Sequence, residues 1–258
     1  MSVIEVERSG AVARVWLNRP ESHNAISAEL GAALSTAFHE LAHDAAVRVL
    51  VLGGRGPSFC AGADIGAMRA SAGATFEANL SEAERLGGMF ATLADCPKPV
   101  VARIHGSVFG GGVGLCCACD VSVASDDAKF GLTEVRLGIL PALISPYVIR
   151  RLGDARAREL MLTGERFDAA VARALGLVNR VVPAAGLDAA VDERVGELLK
   201  GGPHAQARIK MLLELWAGSS WEEYRAALPR TLAEVRSSEE AREGLGSFLE
   251  KRKPRWTA

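Results

Sequence analysis

Two glycine-rich segments each follow an apolar run and precede a stretch with helical character. The first spans residues 53–64 after the run 47–52, and the second spans residues 105–114 after the run 100–104. Backbone N–H groups at the start of a helix have no partner within it, so such junctions can bind an anion or an oxyanion that forms during a reaction. A tight turn between strand and helix is the alternative interpretation of either segment taken singly.

Neither segment has the pattern of a nucleotide site. A phosphate-binding loop ends in Gly-Lys-Ser or Gly-Lys-Thr, which both segments lack. The second segment also lacks the spacing and the acidic residue of a dinucleotide site. The sequence therefore disfavours NAD or ATP as a cofactor.

Glu134 is the acidic residue best placed for proton transfer. It lies between the apolar residues Leu132 and Val135, at a predicted junction of loop and helix. A free glutamate has a pKa of about 4.3, so donating a proton near neutral pH requires burial to raise that value. The alternative is a glutamate that the helix dipole favours in a first helical turn.

Two clusters of potential metal ligands lack the partners that a metal site needs. Cys116, Cys117 and Cys119 crowd one segment, while His39 and His43 share a predicted helix. No second pair stands at ligand spacing elsewhere in the sequence. We therefore predict packed thiols, a polar helix face and no metal.

The elements that must position these residues alternate between strands and helices. The predicted strands are Val3–Val6 and Val12–Leu17, joined as a hairpin at Ser9-Gly10, then Val47–Leu52, Val100–Ile104, Val121–Ala124 and Leu177–Val182. The predicted helices follow the cap Ser27 or cover Thr75–Ala94, Leu115–Cys119 and Asp168–Leu175. This alternation predicts an α/β fold with mostly parallel strands. The unbroken apolar run at 47–52 predicts a strand buried on both faces.

Beyond Pro183 the pattern is helical throughout. The predicted helices are Asp188–Leu199, His204–Trp216, Trp221–Val235 and Ser237–Lys251, the last with a capping box of Ser237 and Glu240. Helices with apolar faces at a chain end pack on the core or on another subunit. We therefore predict a core at residues 1–195 and a helical region at 196–258 that mediates oligomerisation.

Composition and charge exclude several classes of protein. Hydrophobic residues make up 49% of the 258 residues and charged residues 24%, as in soluble globular proteins. The net charge of −1 argues against nucleic acid as a partner. No apolar run approaches the ~18 residues needed to span a membrane. The five cysteines, an odd number in a long chain, indicate reduced thiols and a cytoplasmic protein.

Several motifs resemble, in order and spacing, the enoyl-CoA hydratase/isomerase (crotonase) superfamily. The resemblance covers nearly the whole chain. It is carried by Phe59–Ile65, Gly106–Gly112, Ala118–Asp120, Phe130–Pro141, Leu162–Ala169, Ala174–Val178 and Phe248–Arg252.

This resemblance implies a spiral of ββα units with a helical C-terminal region, assembled as a homo-trimer or hexamer. It implies a substrate carried as a thioester of coenzyme A, with no separate cofactor. The backbone N–H groups of Ala63 and Gly111 are expected to bind the thioester oxygen, while Glu134 acts as acid and base. The expected contacts with the acyl-CoA are Ala25, Ala61, Asp64, Ile65, Gly66, Gly110 and Leu140.

The sequence departs from the superfamily pattern at Gly114. Typical hydratases carry a second glutamate there, three residues after the second oxyanion glycine. Either Glu134 alone accepts and returns the proton, or a group of the substrate supplies the second function. A double-bond isomerase with a single glutamate is the alternative activity. An RNA-binding or non-catalytic protein of this fold is the alternative of another class.

The segments 109–115 and 137–147 resemble the bacterial methylglutaconyl-CoA hydratase branch of leucine and isovalerate metabolism. This resemblance implies hydration of 3-methylglutaconyl-CoA, or dehydration of 3-hydroxy-3-methylglutaryl-CoA. We hypothesise that the distal carboxylate of such a substrate lies near Arg69 or Arg136, or itself positions the water.

Overall fold

A computed structural model describes residues 2–257 of the chain. The strands are β1 (Ile4–Ser9), β2 (Val12–Leu17), β3 (Val49–Gly54), β4 (Val100–Ile104), β5 (Ser107–Phe109), β6 (Val121–Ser125), β7 (Lys129–Gly131), β8 (Arg166–Asp168) and β9 (Arg180–Val182). The helices are α1 (Ala28–His43), α2 (Ile65–Ala72), α3 (Phe76–Ala94), α4 (Gly111–Ala118), α5 (Ser145–Leu152), α6 (Asp154–Thr163), α7 (Ala169–Leu175), α8 (Leu187–Lys200), α9 (Pro203–Gly218), α10 (Trp221–Arg236) and α11 (Glu239–Leu249). Short 3-10 helices cover Pro20–Ser22, Thr133–Leu137, Ala184–Gly186 and Arg255–Thr257. None of the helices within residues 2–257 is both long and apolar enough to cross a membrane.

The main sheet has six strands in the order β1-β2-β3-β4-β6-β9. The hairpin of β1 and β2 is antiparallel, and every pairing from β2 to β9 is parallel. The predicted α/β fold with mostly parallel strands is thus confirmed. The last strand is shorter than predicted and begins at Arg180, because the buried residues Leu177 and Val178 belong to the turn that follows α7.

Both faces of the sheet are covered, as the apolar run at 47–52 predicted. Leu50 and Leu52 point into the larger core, formed with α1, α3 and α4. Val49 and Val51 point to the other face, where they pack against α8. Alternate side chains of a strand point to opposite faces, so a strand buried on both sides must be apolar at every position.

A second sheet of three strands, in the order β5-β7-β8, brings the site residues together. Strands β5 and β7 run parallel, with Phe109 opposite Gly131 at their carboxyl ends. Gly110 and Gly111 follow β5, and Glu134 follows β7. The second glycine-rich segment and the candidate acid therefore emerge at the same edge of one sheet.

The C-terminal helices confirm the predicted helical region, but the predicted division at 195/196 falls inside α8. This helix packs on the main sheet through Val191 and Val195. Arg48 holds the end of α8 and the chain that follows it by donating to the carbonyls of Leu199 (3.0 Å), Gly201 (2.5 Å) and Trp256 (2.6 Å). Residues 1 and 258 of the predicted division lie outside the described residues. The oligomerisation role of this region stays a prediction.

The predicted capping box of Ser237 and Glu240 is wrong. Ser238 caps α11 by accepting from the N–H of Ala241, and Ser237 instead donates to the carbonyl of Ala233. Glu240 accepts from the N–H groups of His204 and Ala205, both at 2.8 Å. The reason is that α9 begins after Gly202, which has no side chain to cap it, so a carboxylate from α11 supplies the acceptor.

Candidate active site

The backbone N–H of Ala63 points away from Ile26, the residue that lies beside it. Ile26 forms an isolated bridge opposite Ala63: its N–H donates to the carbonyl of Gly62 (2.7 Å), and its own carbonyl accepts from the N–H of Asp64 (3.1 Å). This pattern uses the groups on either side of Ala63 and turns its own N–H the other way. Within residues 2–257 that N–H has no acceptor, and Ala63 is exposed.

Gly111 supplies the second donor, because it is the first residue of α4. The N–H of Gly110 donates to the carbonyl of Gly131 at 2.9 Å, whereas the N–H of Gly111 has no acceptor within residues 2–257. A Cβ on Gly111 would lie 2.7 Å from Cδ1 of Ile26. Ile26 therefore contacts Gly111 with its side chain and holds the Ala63 loop with its backbone.

Glu134 lies in the 3-10 helix that follows β7, as the predicted loop-to-helix junction requires. Its backbone is fixed because its carbonyl accepts from the N–H groups of Gly138 and Ile139. Its carboxyl group faces Gly110, where a Cβ would lie 3.0 Å from Oε1. Gly110 has a φ of 50°, so both its conformation and its close approach to the carboxyl require glycine.

One oxygen of the Glu134 carboxyl makes no protein contact that would occupy it among the described residues, which suits the acid–base role predicted for it. Its Oε2 atom is buried and has no hydrogen-bond partner within residues 2–257. Burial raises the pKa of the carboxyl, because it disfavours the charged form. The alternative, a glutamate that the helix dipole favours in a first helical turn, also fits this position, since Glu134 lies in the first turn of its 3-10 helix and a hydrogen bond from its own backbone N–H offsets part of the rise in pKa. Both glycine-rich segments do form turns between strand and helix, and each also leaves a backbone N–H without an acceptor within residues 2–257.

The space beside Gly114, where a second carboxylate would stand, is filled by apolar side chains. A Cβ on Gly114 would lie 2.8 Å from Cβ of Ile144, closer still to Cγ2 of Ile144, and 2.9 Å from Cε1 of Phe90. Both side chains are buried. We call Gly114, Ile144 and Phe90 the apolar wall. The sequence shows that a carboxylate is missing at 114, but only the structure shows what occupies its place.

Asp64 is held by protein groups rather than left open to a ligand. Its Oδ1 accepts from the N–H groups of Gly66 (2.8 Å) and Ala67 (3.2 Å), and its Oδ2 from Arg19 (2.9 Å). Arg19 is the main reason that the pKa of Asp64 lies below its usual range. The carboxylate therefore caps α2 and ties it to Arg19, and the contact of Asp64 with acyl-CoA stays a prediction.

The other predicted contacts surround these groups with different exposure. Ala25 and Gly110 are buried, and Ala61 is half-buried. Ile65 and Leu140 are 68% and 74% exposed, and Gly66 is exposed as well. Two apolar side chains this open to solvent are accessible to a ligand, and their contact with acyl-CoA stays a prediction.

Sequence reasoning missed Arg19, Ile26, Phe90 and Ile144. Arg19 lies in the segment Asn18-Arg19-Pro20, whose proline interrupts regular structure, and nothing local distinguishes it from a surface arginine. Ile26, Phe90 and Ile144 carry only the apolar character common to core residues. Their importance comes from long-range contacts that no local pattern encodes.

The cysteines are packed in the core, and the two histidines lie on an exposed helix face, as predicted. All five cysteines are free and buried. Burial raises the pKa of the Cys60 thiol to about 12 and also raises those of Cys117 and Cys119. Nδ1 of His43 lies 2.8 Å from the carbonyl of His39, one helical turn away. Within residues 2–257 no group of three or more potential ligands is placed to hold a metal ion.

The positive charge of the C-terminal segment Lys251–Arg255 is partly neutralised by neighbouring carboxylates. Arg252 pairs with Glu243 at 2.7 Å and with Glu250 at 2.6 Å, and Arg255 lies 3.6 Å from Glu243. Ion pairs of this kind reduce the free positive charge that nucleic acid would require. The RNA-binding alternative therefore gains no support here.

Comparison with known proteins agrees with this geometry. The profile described as enoyl-CoA hydratase/isomerase matches residues 7–258. A carnitinyl-CoA dehydratase of Proteus mirabilis is 36% identical over 258 residues, covering 96% of this chain and 95% of the relative. The crystal structure of an enoyl-CoA hydratase from Shewanella pealeana superposes with a TM-score of 0.94 at 36% identity, covering 98% of this chain and 96% of that one.

The structure of Pseudomonas aeruginosa AtuE gives a TM-score of 0.95 at 38% identity, covering 99% of this chain and 100% of that one. The match thus extends over the sheet, the site loops and the C-terminal helices alike. The catalytic roles that the resemblance implies for Ala63, Gly111 and Glu134 stay predictions. The chain is an enzyme of the enoyl-CoA hydratase/isomerase, or crotonase, family.

Proposed function

We propose that this protein hydrates an enoyl-CoA, or dehydrates the corresponding 3-hydroxyacyl-CoA. One observation carries the proposal: the carboxyl of Glu134 faces Gly110, and within residues 2–257 neither its buried Oε2 nor the neighbouring N–H of Gly111 has a hydrogen-bond partner. Relatives named as hydratases and as a dehydratase support this choice. The substrate is an acyl thioester of coenzyme A, and the reaction draws on no other cofactor.

In the proposed reaction, the thioester oxygen accepts hydrogen bonds from the N–H groups of Ala63 and Gly111. These donors stabilise the negative charge that reaches this oxygen when water adds to the β-carbon. Glu134 takes a proton from the attacking water and returns it to the α-carbon as the enolate collapses. Removing one such donor typically costs about 2.7–4 kcal/mol of transition-state stabilisation.

The apolar wall supports a substrate that brings a polar group of its own. Ile144 and Phe90 leave no room for a second carboxylate at position 114. We propose that the substrate is 3-methylglutaconyl-CoA, whose distal carboxylate helps to orient the water. Arg69 lies on α2, which begins directly after Asp64, and it forms no ion pair within residues 2–257, so it is available to this carboxylate. Arg136 is less suited, because its side chain packs on Gly164.

A double-bond isomerase is the second candidate, and the single acid favours it. One carboxylate can remove a proton from the α- or γ-carbon and return it to the other, with no water involved. The apolar wall also excludes water from the space beside Gly114. Incorporation of oxygen from labelled water at the β-carbon separates the two reactions, because only hydration adds that atom.

We also propose that the protein is a cytoplasmic trimer or hexamer. Large apolar side chains lie exposed on the C-terminal helices, as expected of surfaces that meet another subunit; they include Trp216, Trp221, Phe248 and Leu249. Light scattering coupled to gel filtration measures the mass of the assembly. A monomer at micromolar concentration contradicts this part of the proposal.

The test uses a panel of enoyl-CoA and 3-hydroxyacyl-CoA thioesters, followed at the absorbance of the conjugated thioester. We expect the highest kcat/KM for 3-methylglutaconyl-CoA. Glu134→Gln should lower kcat by about 10²- to 10⁴-fold, the usual contribution of an acid–base group. Glu84→Gln, an exposed glutamate on α3, is the matched control and should react like the native enzyme. Near-normal hydration by Glu134→Gln contradicts the proposed role.

A further inference from the structure

We propose that Arg19 is a positioning residue of the oxyanion site, which aligns the backbone N–H of Ala63 without touching the substrate. The inference rests on the proposed function in one respect, that Ala63 binds a thioester oxygen. Arg19 lies between β2 and the 3-10 helix Pro20–Ser22, outside the motifs that carry the family resemblance.

The guanidinium of Arg19 bridges the two chain segments that meet at Ala63. Its Nη1 donates to the carbonyl of Ala25 at 2.6 Å, and its Nη2 donates to Oδ2 of Asp64 at 2.9 Å. The side chains of Arg19 and Asp64 are each only 19% exposed. Salt therefore screens this ion pair less than it would a pair on the surface.

The two hydrogen bonds of Arg19 matter because the Ala63 peptide has few other restraints. Ala25 precedes Ile26 and Asp64 follows Ala63, so Arg19 grips both sides of the Ile26–Ala63 bridge. That bridge is isolated from the sheets and consists of two backbone hydrogen bonds. The helix that follows, α2, has no buried residue to anchor it. Rotation of the Gly62–Ala63 peptide would turn the N–H away from the acyl oxygen, and Gly62, with a φ of 102°, offers little steric resistance to it.

Arg19 is itself held rigidly, as a positioning residue has to be. Its N–H donates to Oδ1 of Asn24 at 2.8 Å, and its carbonyl accepts from the N–H of Asn24 at 2.9 Å. Asn24 is fully buried and donates to the carbonyls of Arg55 and Ser58 at 2.9 and 2.7 Å. Arg19 is thus anchored to the chain beyond β3 through Asn24. Because Asp64 neutralises its charge, it is poorly suited to bind a phosphate of coenzyme A.

The experiment compares Arg19→Met and Arg19→Lys with the native enzyme and with Arg158→Met as control. Arg158 forms an exposed pair with Asp154 on α6, so its loss tests the effect of removing an arginine pair as such. The kinetic readout is kcat against KM. The second readout is the infrared carbonyl band of bound butyryl-CoA labelled with ¹³C at the thioester carbon. This saturated ligand cannot be hydrated or isomerised, and hydrogen bonds to its oxygen lower the frequency of the band.

We expect Arg19→Met to lower kcat by roughly 10- to 100-fold with little change in KM, because a displaced donor weakens the transition state more than the bound substrate. The carbonyl band of bound butyryl-CoA should move back toward its frequency in water. Arg19→Lys should recover part of both effects, since one ammonium group cannot grip both acceptors as well. In an Asp64→Asn background, Arg19→Met should cost less than it does alone.

A raised KM with unchanged kcat, or a carbonyl band that stays at its native frequency in Arg19→Met, overturns the inference. The infrared test is independent of turnover. If the native enzyme hydrates no enoyl-CoA, the proposed reaction fails, while the carbonyl band still decides the role of Arg19. If the native enzyme itself does not shift the band, both the oxyanion site and the role of Arg19 are refuted.

Discussion

Replacing Gly114 with alanine tests whether the apolar wall truly closes the place of the second carboxylate. In an open helix interior, this change stabilises a protein by about 1 kcal/mol, because alanine is the better helix former. Here the new Cβ would lie 2.8 Å from Cβ of Ile144 and closer still to its Cγ2. No rotamer of Ile144 moves its own Cβ, so either the backbone of α4 or that of residue 144 has to shift.

Overpacking of this kind costs about 1–3 kcal/mol, and we expect the upper end because a backbone is forced to move. The gain in helix propensity offsets part of this cost, so we expect the free energy of unfolding to fall by about 2 kcal/mol. Gly196→Ala is the matched control. Gly196 lies exposed within α8, with nothing within 4 Å of the position that a Cβ would take. This control should gain about 1 kcal/mol.

Urea unfolding followed by circular dichroism, at one protein concentration, measures both variants. The two are expected to change stability in opposite directions, with a difference of about 3 kcal/mol between them. If Gly114→Ala is as stable as Gly196→Ala, position 114 has room for a side chain. The apolar wall then explains nothing about the missing carboxylate.

Two further predictions concern the buried ionisable groups. Burial raises the pKa of Glu134, so the folded state binds this proton more tightly than the unfolded state, and stability falls as pH rises from the unfolded pKa through the folded one. Glu134→Gln should therefore be more stable than the native enzyme above that pH window and should lose this advantage below it. If the difference in free energy of unfolding between the two proteins is the same at pH 4 and pH 8, the reasoning is contradicted. The five cysteines are buried and the pKa of Cys60 is raised to about 12, so Ellman's reagent should label all of them only after unfolding. Rapid labelling of a thiol in the native protein counts against that burial.

The regular elements could be predicted because their signals are local. Ser27 caps α1 as predicted by accepting from the N–H of Leu30. Thr75 caps α3, and the proline pair at 97 and 99 separates that helix from β4. Each signal lies within a few residues of the boundary that it marks. The sequence therefore predicts most of the main sheet and the C-terminal helices with errors of only a few residues.

The elements that escaped prediction lack such signals. The strands β5, β7 and β8 are three residues each, too short for an alternating pattern to be recognised. Helix α2 has no buried residue and so no apolar periodicity. The cap of α9 comes from Glu240, 36 residues away along the chain. In each case the stabilising contact depends on the tertiary structure.

The same distinction separates what motifs can and cannot reveal about the site. The motifs point to Glu134, Ala63 and Gly111, the residues to which the resemblance assigns the chemistry of the family. They do not reveal that Ile144 and Phe90 fill the space beside Gly114. In the proposed hydration, a single carboxylate has to keep the proton that it takes from water until the α-carbon can receive it. A raised pKa favours that protonated state, so the burial that makes Glu134 costly to ionise also suits it to work alone.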